Sequence, residues 1–312
     1  MKQNIVFDCD PGSDDSIAIL ETFAHPEALQ VLGMTTVGGN GILANVTKNL
    51  QHLLWFLKQE VPIAPGQATP IIKNLQNATD IHGENGLAGP TFPAEADKYP
   101  LASNNGITFL HQIISQSSTP ITIVATAPLT NIALLLKVFP EDKENIQQIV
   151  IMGGSLSKGN VTPQAEFNFF VDPDAADIVL TSGLPIVLCG LDVTNNTGLS
   201  SEQIKTLEHR GPASQLAYEI LTPYFQAEKG EGLKRAAIHD LATITYLLDP
   251  TIYQGEHYQL HVNSSWGELR GQVEINSTTE GSANVLVLKK VDIERASQLL
   301  LDSLALLDQK LR

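Results

Sequence analysis

The chain is poor in cysteine, in basic residues and in long apolar runs, and each shortage closes off a class of function. Only Cys9 and Cys189 occur among 312 residues, so neither a disulfide framework nor a Cys-rich zinc site can be built. Both thiols are read as small buried side chains. Lys and Arg number 19 against 34 Asp and Glu, a formal net charge of −15. A nucleic-acid backbone or an anionic membrane requires clustered cations, so neither is expected as a partner. No stretch approaches the length of a membrane span, and the opening MKQNIVFDCD lacks the apolar core of an export signal. A cytoplasmic location is therefore expected. Repeats, low-complexity runs and shifts of composition are also missing, which favours one domain over residues 1–312. The 43% hydrophobic content is ample for a large core.

What is present is concentrated at the start. Residues 5–20 read IVFDCDPGSDDSIAIL. Ile5, Val6 and Phe7 run into Asp8 and Asp10, Pro11 and Gly12 turn the chain, and Ser13 is placed to cap a helix carrying Asp14 and Asp15. Residues two apart on a strand share a face, so Asp8 and Asp10 point together and Cys9 points away. Asp14 and Asp15 alone would only complement a helix dipole. Four carboxylates in eight residues, two of them at a strand end, instead favour a hard cation among them.

The rest of the chain alternates. LQVLGMTTVGGN is a second buried strand ending at Asn40, a helix follows over about Ile42–Lys58, and VPIAPG is a short third strand. From there to about Asn105 the chain is rich in Pro, Gly, Asn and Asp and contains His82 in HGENGL. So long a connection is more often functional than idle. Helices near Thr108–Ser117, from Leu129, and over Pro173–Ser182 are interleaved with the strands ITIVATAP, QIVIMGGS and IVLCGLDVT. PQAEFNFF reads as extended, which would put Glu166 and Asn168 on one face. Residues Gln259–Asn276 form a hairpin around Trp266-Gly267, and a helix starts at Asp292. Apolar strands separated by helices specify an α/β fold with a mostly parallel central sheet covered on both faces and a small C-terminal hairpin.

In such sheets ligands bind beyond the carboxyl ends of the strands. Asp8, Asp10, Asp14, Asp15, Asn40, Thr126, Asn160, Glu166 and Asn168 all fall at such ends or in the loops after them, and His239-Asp240 opens the apolar run LATITYLL. The set is almost all oxygen with two histidines, which suits calcium or magnesium rather than zinc. Amides and a glutamate beside it match a polyhydroxylated ligand.

These residues resemble the inosine–uridine-preferring nucleoside hydrolases. The matching pieces are DCDPGSDD at Asp8–Asp15, VGGN ending at Asn40, VPIAPG, HGENGL, ATAPLTN at Thr126, MGGS, the set Asn160, Glu166 and Asn168, and His239-Asp240, in family order over most of the chain. Cys9 stands where Thr is common, and Leu241 where Pro often follows the His-Asp pair. The resemblance implies hydrolysis of the N-glycosidic bond of purine or pyrimidine ribonucleosides to ribose and free base, in nucleoside salvage or catabolism. It implies calcium held by Asp10, Asp15, the Thr126 carbonyl and Asp240, with Asp10 as general base toward water. It places Asp14, Asn168 and Asn40 at the ribose hydroxyls, Asn160 and Glu166 at the 5′-hydroxyl, and His239 and His82 at the base. Asp8 would orient the ligands from behind. A homodimer or homotetramer is implied as well. The stretch Tyr224–Lys234 is expected to wall the base, with Tyr224, Phe225 and Gln226 facing it. Two rival readings use the same residues. One is a haloacid-dehalogenase-type phosphatase with Asp8 as nucleophile, for which no later lysine and acidic pair stand in an obvious place. The other is a nucleoside- or calcium-binding homologue without turnover.

Overall fold

At the centre of the molecule, β1 (Gln3–Cys9) is buried on both faces over its last five residues, a pattern possible only for a strand covered by helices on each side. The structure is a computed structural model that describes residues 2–228, 235–276 and 283–312. After β1 come α1 (Ser13–Ala24), β2 (Leu29–Thr36), α2 (Leu43–Phe56), β3 (Ile63–Pro65), a short α3 (Thr79–His82) and α4 (Gly106–Gln116). The second run is β4 (Ile121–Ala125), α5 (Thr130–Val138), β5 (Ile146–Met152), α6 (Phe167–Val171), α7 (Pro173–Leu180), β6 (Ile186–Cys189) and α8 (Leu191–Thr194). Then follow β7 (Gly198–Ser200), α9 (Ser201–Lys205), α10 (Pro212–Glu228), β8 (Arg235–Ala237) and α11 (Leu241–Leu248). The chain closes with β9 (Tyr253–Tyr258), β10 (Leu260–Val262), β11 (Val273–Ile275), β12 (Val285–Val291) and α12 (Ile293–Leu311).

Eight strands form one sheet in the order β3-β2-β1-β4-β5-β6-β12-β9. All neighbours are parallel except β9, which runs antiparallel to β12 at the edge. Ile5, Phe7 and Cys9 point into the core formed with α1, α2, α10, α11 and α12. Val6 points to the other core, under α4, α5 and α7. Asp8 shares the Val6 face and Cys9 the opposite one, as the alternation requires. The expected hairpin is present as the antiparallel pair β10–β11. No helix among the described residues is long and apolar enough to cross a membrane. The chain order reverses direction between β1 and β4, and a crevice opens there beyond the strand ends.

Three local expectations are corrected. AEFNFF is not extended: Glu166 caps α6, accepting hydrogen bonds from the Asn168 and Phe169 N–H groups, so Glu166 and Asn168 are brought together by a helix N-terminus. Apolar periodicity over four residues could not separate the two states. IVLCGLDVT is strand only to Cys189, after which Gly190 starts the helical turn α8. Ser13 does not cap α1; Gly12 is the N-cap, and the Asp15 carboxylate accepts from the Gly12 and Asp10 N–H groups. An acidic side chain three residues in does the capping that the hydroxyl was expected to do.

Candidate active site

The turn after β1 folds its acidic side chains inward because its own backbone amides need partners. Asp10 and Asp15 are fully buried. Asn40, delivered by the Gly38-Gly39 turn after β2, braces both: its backbone N–H donates to Asp10 Oδ2 at 2.7 Å, and its side-chain amide to Asp10 Oδ1 at 3.3 Å and Asp15 Oδ2 at 3.1 Å. The turn fits only because Gly39 has no side chain, since a Cβ there would lie 1.9 Å from Asp10 Oδ2. Thr126, just past β4, donates its hydroxyl to Asp15 Oδ1 at 2.7 Å, and its carbonyl accepts from Asn168 Nδ2 at 3.0 Å. Asp240 arrives from the far side at the start of α11, where Leu241 is wholly buried in place of the expected proline.

Carboxylate oxygens of Asp14, Asp15 and Asp240 lie within 4.8 Å of one another. Burial, and then the neighbouring Asp15 charge, pushes the Asp10 carboxyl well above the carboxylate range. Burial and the charges of Asp14, Asp15 and Asp10 do the same to Asp240. Asp10 and Asp15 accept from amides and a hydroxyl and otherwise face carboxyl groups, and no Lys or Arg is among the described residues lining the cleft. A dense, buried, oxygen-only donor set without a cationic side chain fits a hard divalent ion. Asp8 sits one layer deeper, accepting from Thr35 Oγ1 at 2.6 Å and Asn131 Nδ2 at 2.7 Å. It supports the strand ends rather than touching the other carboxylates, and burial raises it to about 7.

Above this floor lies a cleft of about 380 Å³, within the usual range for small-molecule sites. Asp14, Asn40, His82, Thr126, Asn160, Glu166, Asn168, His239 and Asp240 all line it, while Asp8, Asp10 and Asp15 lie beneath. Glu166 accepts from the Gly154, Asn168 and Phe169 N–H groups at 2.8, 2.9 and 3.1 Å; burial outweighs those bonds and raises its carboxyl to about 7. His82 and Tyr224 stack with centroids 5.7 Å apart. The His82 Nδ1 accepts the Ser13 N–H at 3.2 Å, and Tyr224 donates its hydroxyl to the Ala237 carbonyl. Desolvation lowers His82 to about 3 and His239 to about 4, so both rings are neutral near pH 7.

Of the expected base wall, Tyr224 lines the cleft, whereas Phe225 packs against the core and Gln226 is exposed; residues 229–234 lie outside the described residues. Gln76, Asn77 and Asp80 line the cleft unforeseen, as do Phe167, Phe170 and Asn195. Only the polar composition of the connection after β3 hinted at the first three. Nothing in the sequence marked the others.

An open, mostly parallel sheet with a carboxylate-floored cleft at its switch point defines a doubly wound α/β protein whose ligand site lies beyond the strand ends. The particular family follows from comparison. Residues 5–298 match the model of the inosine-uridine preferring nucleoside hydrolases, and the chain belongs to that family. It is 38% identical over 311 residues to the pyrimidine-specific ribonucleoside hydrolase RihA of Shewanella sp. (strain ANA-3), covering 98% of this chain and 97% of that protein. It is likewise 38% identical over 296 residues to the non-specific ribonucleoside hydrolase RihC of Klebsiella pneumoniae (strain 342), with 94% and 95% covered. Among solved structures, the plant nucleoside hydrolase PpNRh1 superposes with a TM-score of 0.90 at 29% identity over 97% of this chain and 99% of that one. The purine-preferring ribonucleoside hydrolase from Gardnerella vaginalis gives 0.90 at 27% identity over 99% of each.

Proposed function

We propose that the protein hydrolyses the N-glycosidic bond of ribonucleosides, pyrimidine ribonucleosides among them, releasing ribose and the free base in nucleoside salvage or catabolism. One observation carries the reading: a cleft with buried carboxylates and amides on its floor has two neutral histidines on its wall. The acceptance of pyrimidines is supported by what the names of RihA and RihC have in common. Asp10, Asp15, the Thr126 carbonyl and Asp240 would hold calcium, with Asp14 close to the same oxygens. Bound there, the cation supplies orientation of the ribose diol and acidification of water.

The chain's own groups do the rest. The water oxygen bonds to C1′ as the C1′–N bond breaks, and the bonding pair leaves with the base. Asp10 takes the proton that the water gives up, held in place by the Asn40 amide. Asp14, Asn168 and Asn40 bind the ribose hydroxyls; Asn160 and Glu166 bind the 5′-hydroxyl. The carboxylates face a sugar ring that gains positive charge in the transition state, which lowers its energy. His239 and His82 meet the departing base, while Asp8 steadies the strand ends. The reading extends to one catalytic domain over residues 1–312, acting in the cytoplasm as a homodimer or homotetramer; the family match over residues 5–298 supports the single domain. Chromatography of a uridine reaction with calcium supplied should show uracil and ribose in equal amounts. Intact uridine throughout would overturn the reading and favour a binding homologue. Phosphate release from a generic phosphoester would favour the phosphatase.

A further inference from the structure

The connection between β3 and α3 runs along the rim of the cleft, and its exposed residues Gln76 and Asn77 line that rim. It is tied down in stages. Asn131 Oδ1 accepts the Gln67 N–H at 2.9 Å, Asp172 Oδ2 accepts the Ile71 N–H at 2.9 Å, and the Asn40 carbonyl accepts the Ala78 N–H at 3.3 Å. Between the last two ties, the backbone of residues 72–77 makes no hydrogen bond among the described residues. Lys73 reaches the Phe170 ring after α6 begins, with its ammonium 4.9 Å from the centroid. A stretch so sparsely bonded takes its position from its ends.

One of those ends is a buried carboxylate that the proposed chemistry does not use. Asp172 stands at the corner where α6 stops and α7 starts. Its backbone N–H donates to the Asn168 carbonyl at 3.2 Å, closing α6. Its Oδ1 caps α7, accepting the Ala175 N–H at 3.1 Å. Its Oδ2 takes the Ile71 N–H and, at 2.6 Å, the Thr130 hydroxyl from the start of α5. A helix cap needs only one of the two oxygens. The other is spent on a backbone amide 101 residues earlier in the chain. We propose that Asp172 is a positioning residue that sets the rim stretch carrying Gln76 and Asn77 in register with α6, which carries Asn168, so that the nucleoside meets both. The carboxylates of the floor have separate partners in Asn40 and Thr126, so a loosened rim weakens binding and leaves the reacting groups in place. This inference rests on the proposed nucleoside hydrolysis.

Asp172→Ser separates the two uses of the side chain. A serine hydroxyl caps a helix as well as a carboxylate does, and it has no second oxygen to reach Ile71. The KM for uridine should rise about tenfold, the effect of one amide donor left without its acceptor, with kcat within about twofold of wild type. Thr130→Val removes the other donor to Oδ2 and keeps the Ile71 bond, so its KM should stay within about twofold of wild type. Amide exchange read by NMR on the wild type without substrate should find the Ile71 N–H protected and the amides of residues 72–77 exchanging fast. In Asp172→Ser the Ile71 amide should join the fast group while α7 keeps its protection. An unchanged KM in folded Asp172→Ser, equal rises in KM in the two variants, a loss confined to kcat, or a wild-type Ile71 amide exchanging as fast as its neighbours would overturn the proposal. The wild-type exchange needs no variant to fold and no turnover. If the wild type hydrolyses no nucleoside, the proposed function fails, while exchange still decides whether Asp172 holds the rim.

Discussion

Gly39→Ala is a minimal change with a large expected effect. The backbone there is in a conformation open to any residue, yet the added Cβ would stand 1.9 Å from Asp10 Oδ2 and 2.8 Å from Pro128 Cδ. Real carbons do not approach closer than 3.0 Å, so the carboxylate must give way by at least about 1.1 Å, the difference between 3.0 and 1.9 Å. Its hydrogen bond from the Asn40 N–H, now 2.7 Å, is lost in the process. A displacement of about 1 Å in a reacting group costs about 100-fold in rate, and overpacking a buried site costs about 1–3 kcal/mol of stability. Ribose release from uridine should therefore fall about 100-fold in kcat/KM, with a folded circular dichroism spectrum and a lowered Tm. Gly41→Ala is the control, because a Cβ there meets nothing closer than 3.4 Å; it should stay near wild type. A folded Gly39→Ala within threefold of wild type would refute the assignment of Asp10 to the chemistry.

The remaining expectations concern three groups. Asp10→Asn should lose more than tenfold in turnover while the thermal transition persists, and near-normal turnover would remove Asp10 as base. His239→Ala should slow uridine and inosine more than p-nitrophenyl riboside; equal losses would leave it without a part in base departure. Glu21 is buried on α1, and that burial raises its carboxyl well above the usual range. A carboxyl raised in the folded state adds stability below its unfolded value of about 4.3 and loses it as pH rises toward the folded value. Glu21→Gln should therefore gain in Tm relative to wild type at pH 8 and little at pH 4.5, as read by calorimetry; a gain independent of pH would refute the linkage.

The fold was legible where apolar strands met turn residues. IVF before DCDPG, ITIVA before TAP and QIVIM before GGS each became a strand delivering its polar residues to the crevice. Legibility failed where the decisive contact is distant. The helix at Phe167 depends on Glu166 reaching the amides of Gly154 as well as its own helix, and four apolar residues cannot announce that. LDVT looked like more strand because nothing local shows that Gly190 must turn against Gly154. The acidic motif itself was plain. Its bracing by Asn40 and the depth of Asp8 beneath Asn131 came only with the fold. Phe170 and Asn195 carried no signal at all, being ordinary residues that only the fold brings to the cleft wall.

The most direct test strips the protein of divalent ions with a chelator, reloads it with calcium, and measures free ribose from inosine, adenosine, guanosine, uridine and cytidine in each state. The stripped protein should release no ribose, and the calcium-reloaded protein should release it from uridine and cytidine at least. Equal release from fully stripped protein would contradict the cation's place among the carboxylates. No release from any nucleoside by the folded, calcium-loaded protein would contradict the enzyme.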